Sequence, residues 1–366
     1  VEADPMDYGW VRELVWSLNS VGGVLQQQGY LDMAEQAYAS ALEFSQWQAD
    51  QRPDDADLMR DRQVARNKLG EVRFARNDFA GALAAHTEAL ALNEALLAID
   101  PGNVTYRRDM SYTQERLGDV YLAMGDNAGA ETLWIEVTNL RRSLLTADPV
   151  VPQYRQDLAY SLGQLSGLYV SQGRYAEAEP MQVEVVQLRR DLLGAAPEEV
   201  GYLRDLSIGQ NLLASTYLSL GRNVEALTTA QESLATVDRL LQIAPDVGEH
   251  VHDRLVTLNR VGDAQVALAD YPAAVASFRE MVAMGSRLLE IDPYSTLWAN
   301  NLSIGLERLG DAQLSAGDPA GALKSHRDGL SLRDWLVGQD SANPAWYRNL
   351  AISHERIAAT LALQND

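Results

Sequence analysis

Histidines and acidic residues are the side chains of this sequence that could bind a metal ion. His250 and His252 lie close to Asp246, Glu249 and Asp253, and imidazole and carboxylate groups are common metal ligands. Residues two apart on a helix, however, point to different sides. His250 also falls at a position that holds Trp or Tyr elsewhere in the chain. A packing role is favoured, and no metal site is predicted.

Two further histidines occupy a recurring bulky position. His86 and His326 fall where Tyr38, Trp134 and Phe278 stand in other parts of the chain. We therefore predict that both rings replace an aromatic side chain in the core.

A column of carboxylates recurs every 48 residues. Catalytic carboxylates act as a single pair a few ångströms apart, whereas a repeated acidic position at helix starts suits the helix dipole and neighbouring arginines. A structural role is therefore predicted for this column. Its members are Glu13, Asp61, Asp109, Asp157, Asp205 and Asp253.

Paired arginines, Arg141-Arg142 and Arg189-Arg190, could form a basic stripe. Because acidic residues lie near both pairs, a solvated face of mixed charge is predicted instead. The sequence contains no nucleophile elbow, phosphate-binding glycine loop or metal-ligand spacing. We predict no catalytic residue and no cofactor.

The elements that carry these side chains repeat every 48 residues without insertion. An aliphatic column, here called the Leu column, marks the period: Val21, Leu69, Leu117, Leu165, Leu213, Val261, Leu309 and Ile357. The predicted repeats are 1–52, 53–100, 101–148, 149–196, 197–244, 245–292 and 293–340, followed by a C-terminal capping helix at 341–366, all in one solenoid domain spanning 1–366.

Each repeat is predicted to be a helical hairpin. In residues 101–148, apolar side chains recur three and four apart in both halves, which is typical of helices with one buried face. Gly125 suits the left-handed turn that ends the first helix, and Asp126 suits the cap of the second. Pro149 disfavours helix at Asp148 before it. We name the two helices of a repeat helix A and helix B.

Small residues follow the Leu column in every repeat. Their size predicts close approach of helices A and B. The column is Gly22, Gly70, Gly118, Ser166, Ala214, Gly262, Gly310 and Ala358.

This pattern resembles the tetratricopeptide repeat family. The matching residues are Leu117-Gly118, Tyr121, Ala130 and Trp134, with Pro149 opening the next repeat. The family's usual period of 34 residues is shorter than this one. A second signature, such as Tyr106-Arg-Arg-Asp109, resembles the long repeats of bacterial proteins, which often accompany signalling domains. The resemblance implies an all-α, right-handed superhelical solenoid of antiparallel helix hairpins.

Composition limits the partners. The net charge of −21 and the pI of about 4.6 disfavour nucleic acid and anionic membranes as partners. The chain has no cysteine, which excludes thiolate chemistry. No stretch is predicted to approach the roughly 18 apolar residues of a membrane span, and a cytoplasmic location is expected.

The resemblance also implies that helix A lines a concave groove that holds an extended peptide. Four charged pairs at the groove positions are predicted to neutralise themselves, because their members are three residues apart: Lys68–Glu71, Arg116–Asp119, Arg260–Asp263 and Arg308–Asp311. The middle repeats are less charged there, so we expect a peptide to bind over repeats three to five. The predicted ligand-binding residues are Tyr112, Tyr160, Gln164, Asn211, Ser215, Asn259 and Arg260.

The predicted function is that of a non-catalytic protein–protein interaction scaffold that binds a protein or peptide partner. The resemblance suggests the sensing or recruitment part of a larger bacterial signalling protein. The alternative is an enzyme or enzyme subunit with an unrecognised site in the groove.

Overall fold

In the computed structural model, which describes residues 8–245 and 247–364, fifteen α-helices follow one another. Residues 1–7 of the first predicted repeat and Asp246 lie outside the described residues. Successive helices A begin at 8, 56, 104, 152, 200, 248 and 296, so the 48-residue period is confirmed helix by helix. The bounds are α1 Tyr8–Gln27, α2 Leu31–Gln51, α3 Ala56–Ala75, α4 Phe79–Ile99, α5 Val104–Ala123, α6 Asn127–Ala147, α7 Pro152–Ser171, α8 Tyr175–Ala195, α9 Val200–Ser219, α10 Asn223–Ile243, α11 Gly248–Ala267, α12 Tyr271–Ile291, α13 Thr296–Ser315, α14 Pro319–Gln339 and α15 Pro344–Gln364.

The predicted turn chemistry is confirmed. Gly125 has a φ of +79°, a left-handed conformation that costs glycine little. The carboxylate of Asp126 accepts a hydrogen bond from the amide of Gly129 at 2.9 Å and so caps α6. Helix α6 ends at Ala147, directly before the Asp148-Pro149 pair.

Two repeats place a residue other than glycine at this left-handed position: Asn77 with a φ of 62° and Ala269 with a φ of 59°. Alanine is strained there, because its Cβ approaches the following carbonyl, whereas asparagine tolerates the region. We expect Ala269→Gly to raise the free energy of unfolding by about 1 kcal/mol, as measured by urea denaturation. Asn77→Gly is the matched control and should change it less. A loss of stability in Ala269→Gly would contradict the strain.

Helices A and B approach closely at the small column, as predicted. A Cβ added at Gly262 would overlap the ring of Phe278, and one added at Gly118 would lie 2.9 Å from the Trp134 indole. His86 and His326 are buried at the same position of helix B, opposite Gly70 and Gly310. Both histidines therefore fill the aromatic position of the core. Where helix B carries a ring at this position, the facing residue is glycine, because an added Cβ would overlap the ring.

The chain divides into two compact units, Val1–Gln172 and Gly173–Asp366. In the first unit, Tyr38 and Ala34 of α2 pack with Leu69 and Val72 of α3. Each unit is built from antiparallel hairpins whose neighbouring helices contact one another in chain order. The fold is an all-α helical repeat solenoid, as predicted.

The prediction that no stretch approaches the apolar length of a membrane span is wrong. Helix α4, Phe79–Ile99, is long and apolar enough to cross a membrane by length and composition. Its alanine and leucine content raises its hydropathy, but it also carries the buried polar residues His86 and Asn93. It packs against α3 and α5 as helix B of the second repeat.

Candidate functional site: the helix-A face

Consecutive helices A contact one another within each compact unit: α1, α3 and α5 in the first, and α9, α11 and α13 in the second. Positions 16, 19, 20 and 23 of α1 are three or four residues apart and share one side of the helix. We name these positions and their equivalents at 48-residue intervals the helix-A face. They include all seven predicted ligand-binding residues.

The carboxylate column forms ion pairs between successive helices A. The guanidinium Nε of Arg12 lies 2.7 Å from Asp61, and that of Arg60 lies 2.6 Å from Asp109. Because each pair links one repeat to the next, the predicted structural role is confirmed. The remaining pairs are Arg108–Asp157 at 3.2 Å and Arg204–Asp253 at 2.8 Å.

Asparagines at position 19 of the face tie repeats together through a threonine. Asn67 donates to the hydroxyl of Thr113 at 2.7 Å, and the amide of Asn211 donates to Thr257, also at 2.7 Å. Asn211 is buried and its Oδ1 has no hydrogen-bond partner. One N–H of its amide is therefore directed to the next repeat, and its oxygen accepts no hydrogen bond. Asn259 instead donates to Asp263 at 3.2 Å.

The interpretation of Arg141 as part of a solvated face is wrong. Its side chain is only 4% exposed, it donates to the carbonyl oxygen of Asp157 at 2.9 Å, and it pairs with the carboxylate of Glu115. Burial lowers the pKa of Arg141 to about 10. Arg333 makes the equivalent contacts in the seventh repeat. The neighbouring Arg142 is exposed.

Two of the four predicted self-neutralising pairs are close. The ammonium of Lys68 lies 2.9 Å from Glu71, and a guanidinium nitrogen of Arg116 lies 3.1 Å from Asp119. Arg116 also lies over the ring of Tyr112, 5.3 Å from the centroid, and the Tyr112 hydroxyl donates to Glu71. Burial, followed by the charge of Glu71, raises the pKa of Tyr112. These groups satisfy one another in the first compact unit.

In the other two predicted pairs, the charged groups are not in close contact. Arg260 lies 3.8 Å from Asp263, which is beyond hydrogen-bonding distance. The predicted Arg308–Asp311 pair is wrong. Arg308 lies 3.8 Å from Asp263 instead, because Asp311 pairs with Arg356 of the following helix A.

The first compact unit holds Tyr112, Tyr160 and Gln164, and the second holds Asn211, Ser215, Asn259 and Arg260. The structure brings Tyr160 and Gln164 together, since the Gln164 amide donates to the Tyr160 hydroxyl at 2.8 Å. The Tyr160 ring lies 6.2 Å from that of Trp134 and remains 41% exposed. Ser215 is half-buried. Only part of the predicted set is thus both accessible and polar.

Sequence reasoning overlooked the length of an apolar column at position 16 of the face. Trp16 is 71% exposed and borders a cleft of about 690 Å³ between α1 and α3. In the second unit, Ile208 and Val256 are exposed, beside Leu212 with 53% exposure. Every position of this column is apolar or aromatic in the sequence, and that regularity could have revealed it. The column is Trp16, Val64, Tyr112, Tyr160, Ile208, Val256, Ile304 and Ile352.

The histidines contribute packing and hydrogen bonds. His250 is buried, as its aromatic position predicted, and His252 lies 3.0 Å from the amide nitrogen of Asn301. Burial lowers the pKa of His86 to about 4, so this ring is neutral at physiological pH. Within 8–245 and 247–364, no group of three or more His, Asp or Glu side chains is placed to hold a metal ion.

Solved structures similar to this chain share little sequence identity with it. No curated protein sequence matches the chain. The structure of BtubC (BKLC) from P. vanneervenii is similar over 71% of this chain and 92% of its own, with 19% identity and a TM-score of 0.49. A tetratricopeptide repeat protein from Parabacteroides merdae covers 93% and 99%, with 14% identity and a TM-score of 0.43. Sequence identities and TM-scores as low as these support no functional conclusion.

The hairpins and their 48-residue register define a helical repeat protein. Residues 158–198 match the model of the tetratricopeptide repeat family, which confirms the predicted resemblance to this class of repeat proteins. Proteins of this class are generally non-catalytic, and the class supports a general role as a protein-interaction scaffold.

Proposed function

We propose that the protein is a non-catalytic scaffold that binds an extended polypeptide segment on the helix-A face. The observation that carries this proposal is the exposed apolar column, whose members include Tyr160, Ile208 and Val256. Covering such side chains removes apolar surface from water and favours binding. An extended segment suits the face because, within each compact unit, the column presents one side chain per repeat along successive helices A.

Polar groups beside the column can bind the backbone of that segment. In the first compact unit, Gln164 offers an amide oxygen and Tyr160 a hydroxyl group. A peptide N–H is a suitable donor for such an oxygen. Recruitment of a bacterial signalling component remains a prediction from the resemblance, and a cytoplasmic location remains a prediction from the sequence.

The test is selection of random peptides displayed on phage against the full chain, followed by fluorescence anisotropy with the enriched peptides. Leu212→Ser and Tyr160→Ser remove exposed apolar groups from the two compact units. We expect at least one of them to weaken binding about tenfold, as loss of a buried aliphatic or aromatic contact does.

Val183→Ser is the matched control, because Val183 is 42% exposed but lies on α8, a helix B. It should leave affinity unchanged. The proposal fails if no peptide is enriched over an unrelated helical protein. It fails also if Val183→Ser weakens binding as much as the two face variants.

A further inference from the structure

Asp263 is shared by two arginines of the second compact unit. It accepts a hydrogen bond from Asn259 at 3.2 Å. Arg260 and Arg308 each approach it only to 3.8 Å, from α11 and α13. In the first compact unit, by contrast, Lys68 lies 2.9 Å from Glu71, which also accepts a hydrogen bond from the Tyr112 hydroxyl. The second unit therefore places two cations around one carboxylate.

Arg260 and Arg308 together carry one positive charge more than Asp263 balances. Asp311, which would be the partner of Arg308 by helix spacing, is paired with Arg356. Within the described residues, neither Arg260 nor Arg308 has a protein hydrogen-bond acceptor at normal distance, and the buried Nε of Arg260 is unpartnered. Guanidinium groups form short, charge-assisted hydrogen bonds with carboxylates. The two arginines thus retain donors for a second anion.

Burial makes an added anion more favourable here. Desolvation lowers the pKa of Arg260 and raises the pKa of Asp263, so both groups are partly removed from water. Incompletely paired charges in such surroundings are costly. An anion that hydrogen-bonds both guanidinium groups would reduce that cost.

We propose that Arg260 and Arg308 together bind an acidic side chain of the polypeptide that occupies the helix-A face. This inference rests on the proposed function and specifies the partner's chemistry. Val256 lies one helical turn before Arg260 on α11. Leu212 occupies the position of Arg260 one repeat earlier. Both apolar side chains are exposed. The recognised segment therefore combines aliphatic side chains over Leu212 and Val256 with an Asp or Glu between the arginines.

The overall charge of −21 restricts this partner further. An acidic polypeptide is repelled at long range by the chain as a whole. The bound segment should therefore carry one acidic residue among neutral or basic ones, rather than an acidic run.

The experiment sequences the peptides enriched by phage display on the full chain and on Arg260→Gln and Arg308→Gln. On the wild-type chain we expect Asp or Glu to be enriched at one position near aliphatic residues. Each arginine variant should abolish that enrichment and weaken the selected peptide about tenfold or more in anisotropy, since charge-assisted hydrogen bonds are lost. Circular dichroism checks that the variants fold.

Arg279→Gln is the matched control, because Arg279 is an exposed cation of the same compact unit but lies on α12, a helix B; it should preserve the enrichment. Synthetic versions of the selected peptide with Asn or phosphoserine in place of the acid separate charge from shape. Asn should bind about tenfold more weakly, and tighter binding of phosphoserine would identify a phosphorylated side chain as the preferred anion. Enriched peptides without an acid, or equal binding of the Asn peptide, overturn the inference while leaving the scaffold function intact. Absence of any enrichment overturns both.

Discussion

Gly262→Leu should lower the free energy of unfolding by about 1–3 kcal/mol, the usual effect of overpacking a core. Any Cβ at this position would overlap the ring of Phe278 across the contact between α11 and α12. Leucine adds three further carbon atoms and would force the two helices apart. Urea denaturation measures the loss. Hydrogen exchange should locate it chiefly in the sixth repeat and its neighbours, because repeat proteins couple mainly to the nearest repeats.

Gly163→Leu is the matched control. Gly163 is also inside a helix A, but nothing lies within 4 Å of an added Cβ. Here leucine should stabilise the helix by up to about 1 kcal/mol through its higher helix propensity. If both variants unfold like the wild-type chain, close approach of the two helices does not explain the small column.

Arg141→Met should cost about 3 kcal/mol, because it leaves the buried carboxylate of Glu115 without its buried partner. Methionine keeps most of the side-chain volume, so the loss reports on charge rather than on a cavity. The carbonyl oxygen of Asp157 loses its donor as well. The measurement is again the free energy of unfolding from urea denaturation.

Two further variants separate the ion pair from other effects. Arg142→Met, at the exposed neighbouring position, should change stability by no more than about 0.5 kcal/mol. Combining Glu115→Leu with Arg141→Met should recover most of the loss, because a buried ion pair can be replaced by apolar groups at little cost. A double variant as unstable as the sum of the single ones would contradict the pairing.

Local sequence chemistry was sufficient to predict the helices and their packing. The turn at Gly125 and Asp126 depends on a left-handed glycine and a capping carboxylate, both adjacent in sequence. The contact of Gly262 with Phe278 was predictable because a small residue and an aromatic ring stand at the same separation in most repeats. These features need no knowledge of which distant residue supplies a partner.

The electrostatics of the helix-A face could not be predicted in the same way. Arg141 has acidic neighbours in sequence, yet its acceptor is the carbonyl of Asp157 on the next helix. Arg308 was paired with Asp311 by helix spacing, but Arg356 from the following repeat takes that carboxylate. Long side chains choose among several partners in three dimensions, and sequence spacing identifies only those on the same helix.

The constant offset of the ion pairs between helices A has a consequence for how the gene for such a protein can change in length. Arg12 meets Asp61 and Arg60 meets Asp109, in each case 49 residues ahead. Loss of residues 53–100 would bring Arg12 opposite Asp109, the same pairing from a neighbouring copy. Loss or gain of a segment that is not a multiple of 48 residues would place non-equivalent residues opposite each other. Duplication or deletion of whole repeats therefore preserves the ion pairs between helices A. The array can become longer or shorter in this way with the same Arg–Asp contacts.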